Sequence, residues 1–177
     1  KTTNQSIPNN TATILTWDFE DRDPAGAHDP ADNTKLSPPV GWTEAEARAT
    51  VNWQPAATGS RNTRILLNGV GTTFGLGRNQ VRASADDTVQ PLFTSRMPIT
   101  GGVDYFEVMV AHNNGSAIDI EALVSGGFVT WFELILYGGG SGSVIAPYIS
   151  TRSNGSCIIT HANNALTDRT YDLLVVG

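Results

Sequence analysis

The sequence is poor in cysteine and histidine, with one cysteine and three histidines among 177 residues. A single cysteine excludes an intrachain disulfide framework, and so few, widely separated histidines leave no spacing typical of a zinc site. No apolar run approaches the roughly 18 residues of a membrane-spanning helix, so we expect no membrane insertion. Basic residues are also scarce: 11 lysines and arginines stand against 17 acids, a net charge of −6. Such a chain lacks the basic surface that binds nucleic acid.

The apolar residues that are present recur with period two, which is typical of strands. The clearest case is the segment 45–53, where Ala, Ala, Ala, Val and Trp alternate with polar residues. Its start also has helical features, because Thr43 and Glu46 resemble a capping box and alternating Glu and Ala favours a helix. The unbroken alternation up to Val51 and Trp53 instead favours a strand with one buried face.

Turn signals divide the rest of the chain into short strands. Asn68-Gly69 predicts a tight hairpin turn, and Pro91 indicates either an edge strand or a bulge. We therefore expect an all-β fold, a sandwich or jelly roll of about nine or ten strands without a helix. The strands predicted in the first part of the chain are 15–19, 45–53, 61–68, 72–76, 80–85, 89–97, 105–112, 117–124 and 128–137.

A Gly/Ser segment at 138–143 has the composition of a linker and divides the chain into two parts, 1–137 and 144–177. The second part is a short β-rich extension, with strand-like pieces at 145–151, 157–161 and 170–176. It is too small for a core of its own. We expect it to be an assembly or docking element, packed on the first part, on a neighbouring subunit or on another protein. The residues expected to make these contacts are Ile145, Ile158, Leu173 and Val175.

The first part carries short motifs in a fixed order. They are 4–11 leading into 15–18, Ala27-His28-Asp29-Pro30 with 33–36, Pro39-Val40-Gly41, Gly59-Ser60-Arg61 with 65–69, and a closing strand at 133–138. Together they resemble the C1q-like branch of the C1q/TNF-like jelly rolls, in particular its compact bacterial and bacteriophage members. Trp42-Thr43-Glu44 departs from the aliphatic-aromatic pair usual there. The extension is additional to that family, and its segments 160–164 and 167–171 resemble pieces of phage tail-fibre and virion-appendage proteins.

The resemblance implies a ten-stranded jelly roll that assembles as a homotrimer. It implies a non-enzymatic structural or receptor-binding module of a virion, such as a bacteriophage tail fibre, spike or decoration protein. The implied partners are other copies, other virion proteins and a host surface polysaccharide used in host attachment, with no cofactor. The alternative is a secreted, extracellular C1q-like lectin or signalling head. The strand 128–137 is apolar on both faces, which suits a subunit interface, and the expected interface residues are Phe128, Trp131, Phe132, Leu134 and Leu136.

An acidic cluster between Asp18 and Asp32, with His28 inside it, is the most unusual local composition. The spacing of its acids partly matches a calcium-binding loop. However, Ala25 offers no side-chain oxygen at the fifth loop position, and Pro24 stiffens the turn. We therefore expect these carboxylates to shape turns and to hold no metal.

No pattern predicts a catalytic centre, and we expect no enzymatic activity. Cys157 and His161 lie too far apart along one strand to pair, and His112 is expected to be a strand-end or interface histidine. A β-sandwich glycoside hydrolase is the remaining enzymatic alternative, because such a fold can carry paired carboxylates. The carboxylates that would serve it are Glu107, Glu121 and Glu133.

Two further groups of side chains are weaker binding candidates. Four arginines near the middle strands are expected to form a solvated basic face, and four aromatic residues could stack on sugars, with Trp53 favoured as a core residue instead. The arginines are Arg61, Arg64, Arg78 and Arg82. The aromatic residues are Trp42, Trp53, Trp131 and Tyr148.

Overall fold

The computed structural model describes residues 1–71, 76–122, 129–138, 148–151 and 157–160. These residues form strands, turns and loops without a helix, so no helix there is long and apolar enough to cross a membrane. The strands are β1 (Gln5–Ile7), β2 (Thr13–Ile14), β3 (Lys35–Leu36), β4 (Glu44–Trp53), β5 (Ser60–Leu67), β6 (Arg78–Arg82), β7 (Thr88–Phe93), β8 (Met97–Pro98), β9 (Phe106–His112), β10 (Ile118–Glu121), β11 (Trp131–Tyr137), β12 (Tyr148–Thr151) and β13 (Cys157–Thr160). The predicted all-β class is confirmed.

The first eleven strands form two antiparallel sheets. The first sheet contains β1, β4, β7, β8, β10 and β11, and the second contains β2, β3, β5, β6 and β9. Within them the strands pair as a nested series: β1 with β10, β2 and β3 with β9, β4 with β7 and β8, and β5 with β6. Three more pairings, β4 with β10, β4 with β11 and β5 with β9, join these pairs into the two sheets of a sandwich. This connectivity is that of a jelly roll.

The core lies between the sheets and follows the period-two pattern. In β4 the side chains of the predicted apolar face are 0–1% exposed, whereas Arg48 on the other face is exposed. The strand interpretation of 45–53 is therefore confirmed, and the helical features of its start have no effect because sheet pairing on both edges determines the conformation. The largest buried apolar side chains are Trp53, Phe106, Ile7, Leu15, Ile65 and Ile120.

The predicted strand at 15–19 is wrong: the strand in this part of the chain is β2 (Thr13–Ile14), and none of the residues 15–19 belongs to a strand. Leu15 and Trp17 point into the core as expected, but Phe19 is 58% exposed. The sheet partner is lost before Phe19, because the Trp17 amide donates to the carbonyl oxygen of Asn33 at 2.7 Å instead of to a strand. The chain then leaves the sandwich in a long loop that carries the acidic cluster.

The predicted turn at Asn68-Gly69 is present. Both residues have positive φ, 53° and 75°, which the type I′ turn requires. Leu67 and Val70 exchange amide-to-carbonyl hydrogen bonds of 3.1 and 2.9 Å across it. The pairing ends there among the described residues, and β5 next pairs with β6 from Arg78 onward. Most of the strand predicted at 72–76 lies outside the described residues.

Two other expectations concern edges and the extension. Pro91 lies in β7, which pairs only with β4 among the described strands, so the edge position, one of its two predicted alternatives, is confirmed. The extension contains β12 and β13, which pair with each other. They fall within the predicted pieces at 145–151 and 157–161, whereas the piece at 170–176 lies outside the described residues.

Candidate functional site

A groove of about 1360 Å³ runs along β11 and is lined on its other side by the loop at 19–28. β11 pairs with β4 along one edge, and no described strand pairs with its opposite edge. The strand expected at a subunit interface and the acidic loop therefore meet in one place. Nothing in the sequence indicated this, because their meeting depends on the path of a loop.

Apolar side chains dominate the groove. Trp17 packs against Phe132 with ring centroids 5.3 Å apart and an angle of 37° between the rings. Leu36 and Trp42 also contribute to the lining. Three large apolar side chains along it are exposed to solvent, namely Phe19 (58%), Val129 (41%) and Trp131 (38%).

The residues predicted for a trimer interface fall on both faces of β11. Phe132, Leu134 and Leu136 are half-buried and pack against the core. Trp131 lies on the outer face, opposite Thr50 of β4. Phe128 lies outside the described residues. The apolar pattern on the inward face of this strand is thus used within the molecule, and only the outer face remains for a partner.

Of the four residues predicted to make contacts from the extension, the structure describes one. Ile158 lies in β13, opposite Ser150 of β12. The other members of that set lie outside the described residues, and they are Ile145, Leu173 and Val175.

The acidic loop uses its carboxylates for local hydrogen bonds. Asp23 Oδ2 accepts the amide of His28 at 2.7 Å, and Asp29 Oδ1 accepts the amide of Ala31 at 2.9 Å. Asp32 accepts the hydroxyl of Thr34 and pairs with Lys35 Nζ at 2.6 Å. The predicted role of these acids in shaping turns is therefore confirmed for these three. Among the described residues, no three His, Cys, Asp or Glu side chains come together as metal ligands.

Asp18 at the start of this loop holds the N-terminal segment. Its carboxylate accepts the amides of Thr2 and Thr3 at 2.7 and 2.8 Å, and also the Thr3 hydroxyl. Partial burial disfavours the charged form, but the hydrogen bonds outweigh it and hold the pKa of Asp18 well below its usual range. The N-terminal amine of Lys1 donates to the carbonyl oxygen of Thr130 at 3.1 Å, just before β11 begins.

Two polar groups on the groove lining are buried without a hydrogen-bond partner among the described residues. They are Nε1 of Trp17, a residue 5% exposed, and Nε2 of His28, whose side chain is 10% exposed. Nδ1 of His28 lies 3.3 Å from Glu20 Oε2. A buried polar atom without a partner costs free energy, and Nε of Arg61 and Nε2 of Gln90, away from the groove, are in the same position among the described residues.

The carboxylates of the glycosidase alternative do not converge. Glu107 lies on β9 in the second sheet, whereas Glu121 and Glu133 lie on the first sheet. Along β4 the last two stand opposite Asn52 and Arg48, positions about 13 Å apart at about 3.3 Å per residue. Burial raises the pKa of both Glu107 and Glu121, and neighbouring carboxylates add to the rise, Asp32 beside Glu107 and Asp87 and Asp119 beside Glu121.

His112 is a core histidine whose two nitrogens are both used. Its Nε2 lies 2.9 Å from the carbonyl oxygen of Ile7, and its Nδ1 accepts the amide of Asn114 at 3.2 Å. The ring also meets Trp53 edge-on, with centroids 5.8 Å apart. His112 therefore locks the end of β9 to β1, as expected of a strand-end histidine.

Arg61 contradicts the expected basic face, because it is 1% exposed and lies inside the sandwich. It donates to the carbonyl oxygens of Gln54 and Ala56 at 2.8 and 3.2 Å and to the Thr88 hydroxyl, and burial lowers its pKa. The sequence did contain a signal, since Arg61 has the same parity along β5 as the buried Ile65. The outer face of β5 and β6 carries the remaining three, Arg64, Arg78 and Arg82.

The aromatic residues considered for sugar stacking differ in how far they are buried. Trp53 is fully buried, and its Nε1 donates to Gln90 Oε1 at 2.7 Å. Trp42 is half-buried against the core. Trp131 alone of the three is exposed enough to stack on a ligand, and the side chain of Tyr148 lies outside the described residues.

The outer face of the first sheet carries exposed apolar side chains in neighbouring rows. One cross-strand row contains Trp131, Thr50 and Pro91. The next contains Glu133, Arg48 and Phe93. Phe93 is 71% exposed, although it continues a strand whose other face is buried. Aromatic side chains at this exposure on a sheet face are typical of an interaction surface.

Charges on the same face are paired with each other. Glu46 accepts Arg48 Nε at 2.8 Å and the Tyr137 hydroxyl at 3.2 Å, and the bond from Arg48 lowers the pKa of Glu46. The Arg96 guanidinium lies 4.2 Å from the centre of the Tyr137 ring and pairs with Glu44. A face whose charges are already paired repels a second copy of itself less than a face with charge of one sign.

Comparison with known proteins gives no family model and no curated protein that matches this chain. The relationship to the C1q-like jelly rolls therefore stays a prediction that rests on the sequence motifs. The structure places those motifs in β1, in the loop along the groove, before β4, in β5 with its turn, and in β11.

Proposed function

We propose that the chain is a non-enzymatic structural and recognition module of a virion appendage, a bacteriophage fibre, spike or decoration protein. On this proposal it assembles as a homotrimer and binds a host surface glycan or another virion protein. The observation that carries the proposal is the outer face of the first sheet, where Trp131 and Phe93 are exposed in adjacent rows beside paired charges. Covering these side chains gives each copy apolar area to bury against the next.

Two further observations support it. The order of the motifs from 4 to 138 resembles compact phage C1q-like heads, which implies both the appendage and the trimer. The candidate catalytic groups are separated or already used, since the three glutamates do not converge and His112 is occupied by Ile7 and Asn114. A binding role needs no such convergence.

The oligomeric state tests the trimer directly. Light scattering should give three times the 18.8 kDa chain mass at micromolar concentration. The double variant Phe93→Asp with Trp131→Asp should run as a folded monomer, because it places charge on the proposed interface. Val103→Asp is the matched control, since Val103 is 70% exposed but lies away from that face. A wild-type monomer, or a trimer that survives the double substitution, would exclude this interface.

The appendage role needs a separate measurement. An antibody against the chain should label purified particles, and the purified chain should bind polysaccharide from the host surface without shortening it. Release of shorter oligosaccharides would instead favour the glycoside hydrolase. Absence from particles, together with secretion of the chain, would favour the lectin alternative.

A further inference from the structure

The edge of β11 that faces away from β4 is open among the described residues. β1 covers the outer edge of β10, and Lys1 reaches the carbonyl oxygen of Thr130. From Trp131 to Tyr137, no described strand continues this coverage. An open edge of seven residues presents unpaired amides and carbonyls to whatever strand comes next to it.

The groove beside this edge is built to receive an apolar strand. Phe132, Leu134 and Leu136 are only half-buried there, although they belong to the periphery of the core. Trp17 Nε1 and His28 Nε2 are buried beside them without a partner among the described residues. A strand laid along β11 would cover the three apolar side chains and pair with the free edge of β11 through its backbone amides and carbonyl oxygens.

The C-terminal segment of the chain has the composition of such a strand. Residues 170–176, Thr-Tyr-Asp-Leu-Leu-Val-Val, equal β11 in length and end in four successive aliphatic residues. In extended conformation, Tyr171, Leu173 and Val175 would share one wholly apolar face. Leu174 and Val176 would share the other face with Asp172. This asymmetry suits a strand with one side on a groove and the other in water.

The length of the intervening chain allows the segment to reach its own β11. Tyr148 of β12 lies opposite Thr160 of β13, so this hairpin returns the chain to where it entered. The residues before and after the hairpin, 139–147 and 161–169, can extend to about 60 Å at about 3.3 Å per residue. β11 itself spans about 23 Å. A segment tethered within this distance has an effective concentration in the millimolar range, well above that of other copies in dilute solution.

We propose that residues 170–176 add as a strand to the open edge of β11 in the same molecule and close the groove. The extension is then a docking element that completes the first sheet; Phe93 on the outer face stays available, whereas Trp131 also borders the groove. The proposal does not depend on the trimer, because the edge that takes the strand and the face that carries Phe93 are different surfaces.

Amide hydrogen exchange on the full chain tests this. The variant Leu173→Asp with Val175→Asp should accelerate exchange in the peptide that contains β11 by about tenfold or more. The control Leu174→Asp with Val176→Asp carries the same charge on the opposite face and should leave that exchange near the wild-type rate. Peptides from β4 and β9 report the core and should not change in either variant.

Each other outcome overturns the proposal. Equal exchange of β11 in the wild type and the first variant would mean that the segment does not cover this edge. Equal acceleration in both variants would exclude a specific apolar face. Loss of protection in β4 and β9 as well would show that the segment supports the whole core rather than one edge. Protection of β11 that rises with protein concentration would assign the strand to a neighbouring copy.

Discussion

The two sides of the sandwich differ in how completely the described chain covers the edges of its sheets. On one side, β6 and β7 close the sheets with groups of their own chain, and the buried Arg61 joins the ends of the adjoining loops. On the other side, β11 and the acidic loop leave a groove with half-buried apolar side chains, beside an edge of β11 that no described strand covers. Both sides keep buried nitrogens without a partner among the described residues, Arg61 Nε and Gln90 Nε2 on the first and Trp17 Nε1 and His28 Nε2 on the second, so the difference lies in the uncovered edge. One hydrophobic core can therefore be enclosed on one side and border, on the other side, a sheet edge that is open to a docking strand.

The largest effect should come from breaking the closed side at Arg61. In the variant Arg61→Leu, the carbonyls of Gln54 and Ala56 lose their donor. We expect a loss of about 1–3 kcal/mol in the free energy of unfolding for each part-buried acceptor that is left without its donor. Chemical denaturation measures it. Arg64→Leu, on the outer face of the same strand, is the control and should cost less than about 1 kcal/mol. Similar losses in both variants would mean that the buried arginine does not hold this side together.

A smaller effect on the same side should follow from Gly77→Ala. A Cβ at Gly77 would lie 2.5 Å from the carbonyl oxygen of Phe93, which belongs to the backbone of β7 and cannot move aside alone. Overpacking of this kind costs about 1–3 kcal/mol, and thermal unfolding would show it. Gly71→Ala is the control, because its Cβ would meet side-chain atoms, the end of Leu66 at 2.8 Å and Arg64 at 3.6 Å, rather than backbone. A stable Gly77→Ala protein would show that β6 and β7 are less tightly joined than described.

The smallest effect, on the open side, should be the pH dependence contributed by Asp18. Hydrogen bonds from Thr2 and Thr3 hold its folded pKa below the unfolded value of about 3.9. Its stabilisation is therefore complete above that pH and is lost as the pH falls through the folded pKa. Because Asp18 is exposed, Asp18→Asn should cost less than about 1 kcal/mol at pH 7.

The measurement is the difference in unfolding free energy between the wild type and Asp18→Asn across pH. It should shrink from about pH 4 downward. Asp87→Asn serves as the control, since the amides of Thr2 and Thr3 donate to Asp18 and not to Asp87. A difference that stays constant down to acid pH would mean that the charge of Asp18 does not hold the N-terminal segment.

The sequence predicted the structure well wherever burial of one face of a strand determines its conformation. β4, β9 and the turn at Asn68 follow directly from alternation and from the positive φ that Asn-Gly permits. It was a poor guide to Phe19, because a backbone hydrogen bond between Trp17 and Asn33 removes the strand that alternation predicts. It also led us to expect Arg61 at the surface. Arg61 is buried because it lies on the inward face of β5, and this position outweighs the usual tendency of arginine to be exposed.

The groove was beyond prediction for a different reason. Its walls come from the loop at 19–28 and from β11, which lie about a hundred residues apart in the chain. Local patterns describe each wall but contain nothing about their distance in space. The nested order of the strands, which brings them together, appears only when the pairing partners are known.

That nested order has a consequence for how the chain folds. β5 and β6 pair across a short connection, whereas β1 must find β10 with more than a hundred residues between them, as in the pair Gln5 and Ile120. Loop closure of that length carries a large entropic cost, and folds dominated by such pairings form in about milliseconds to seconds. We expect the inner hairpin to form early and the terminal strands to join last. The same strands should open first on unfolding, so transient opening begins at the edge of β10 while the middle of the nested series is still paired.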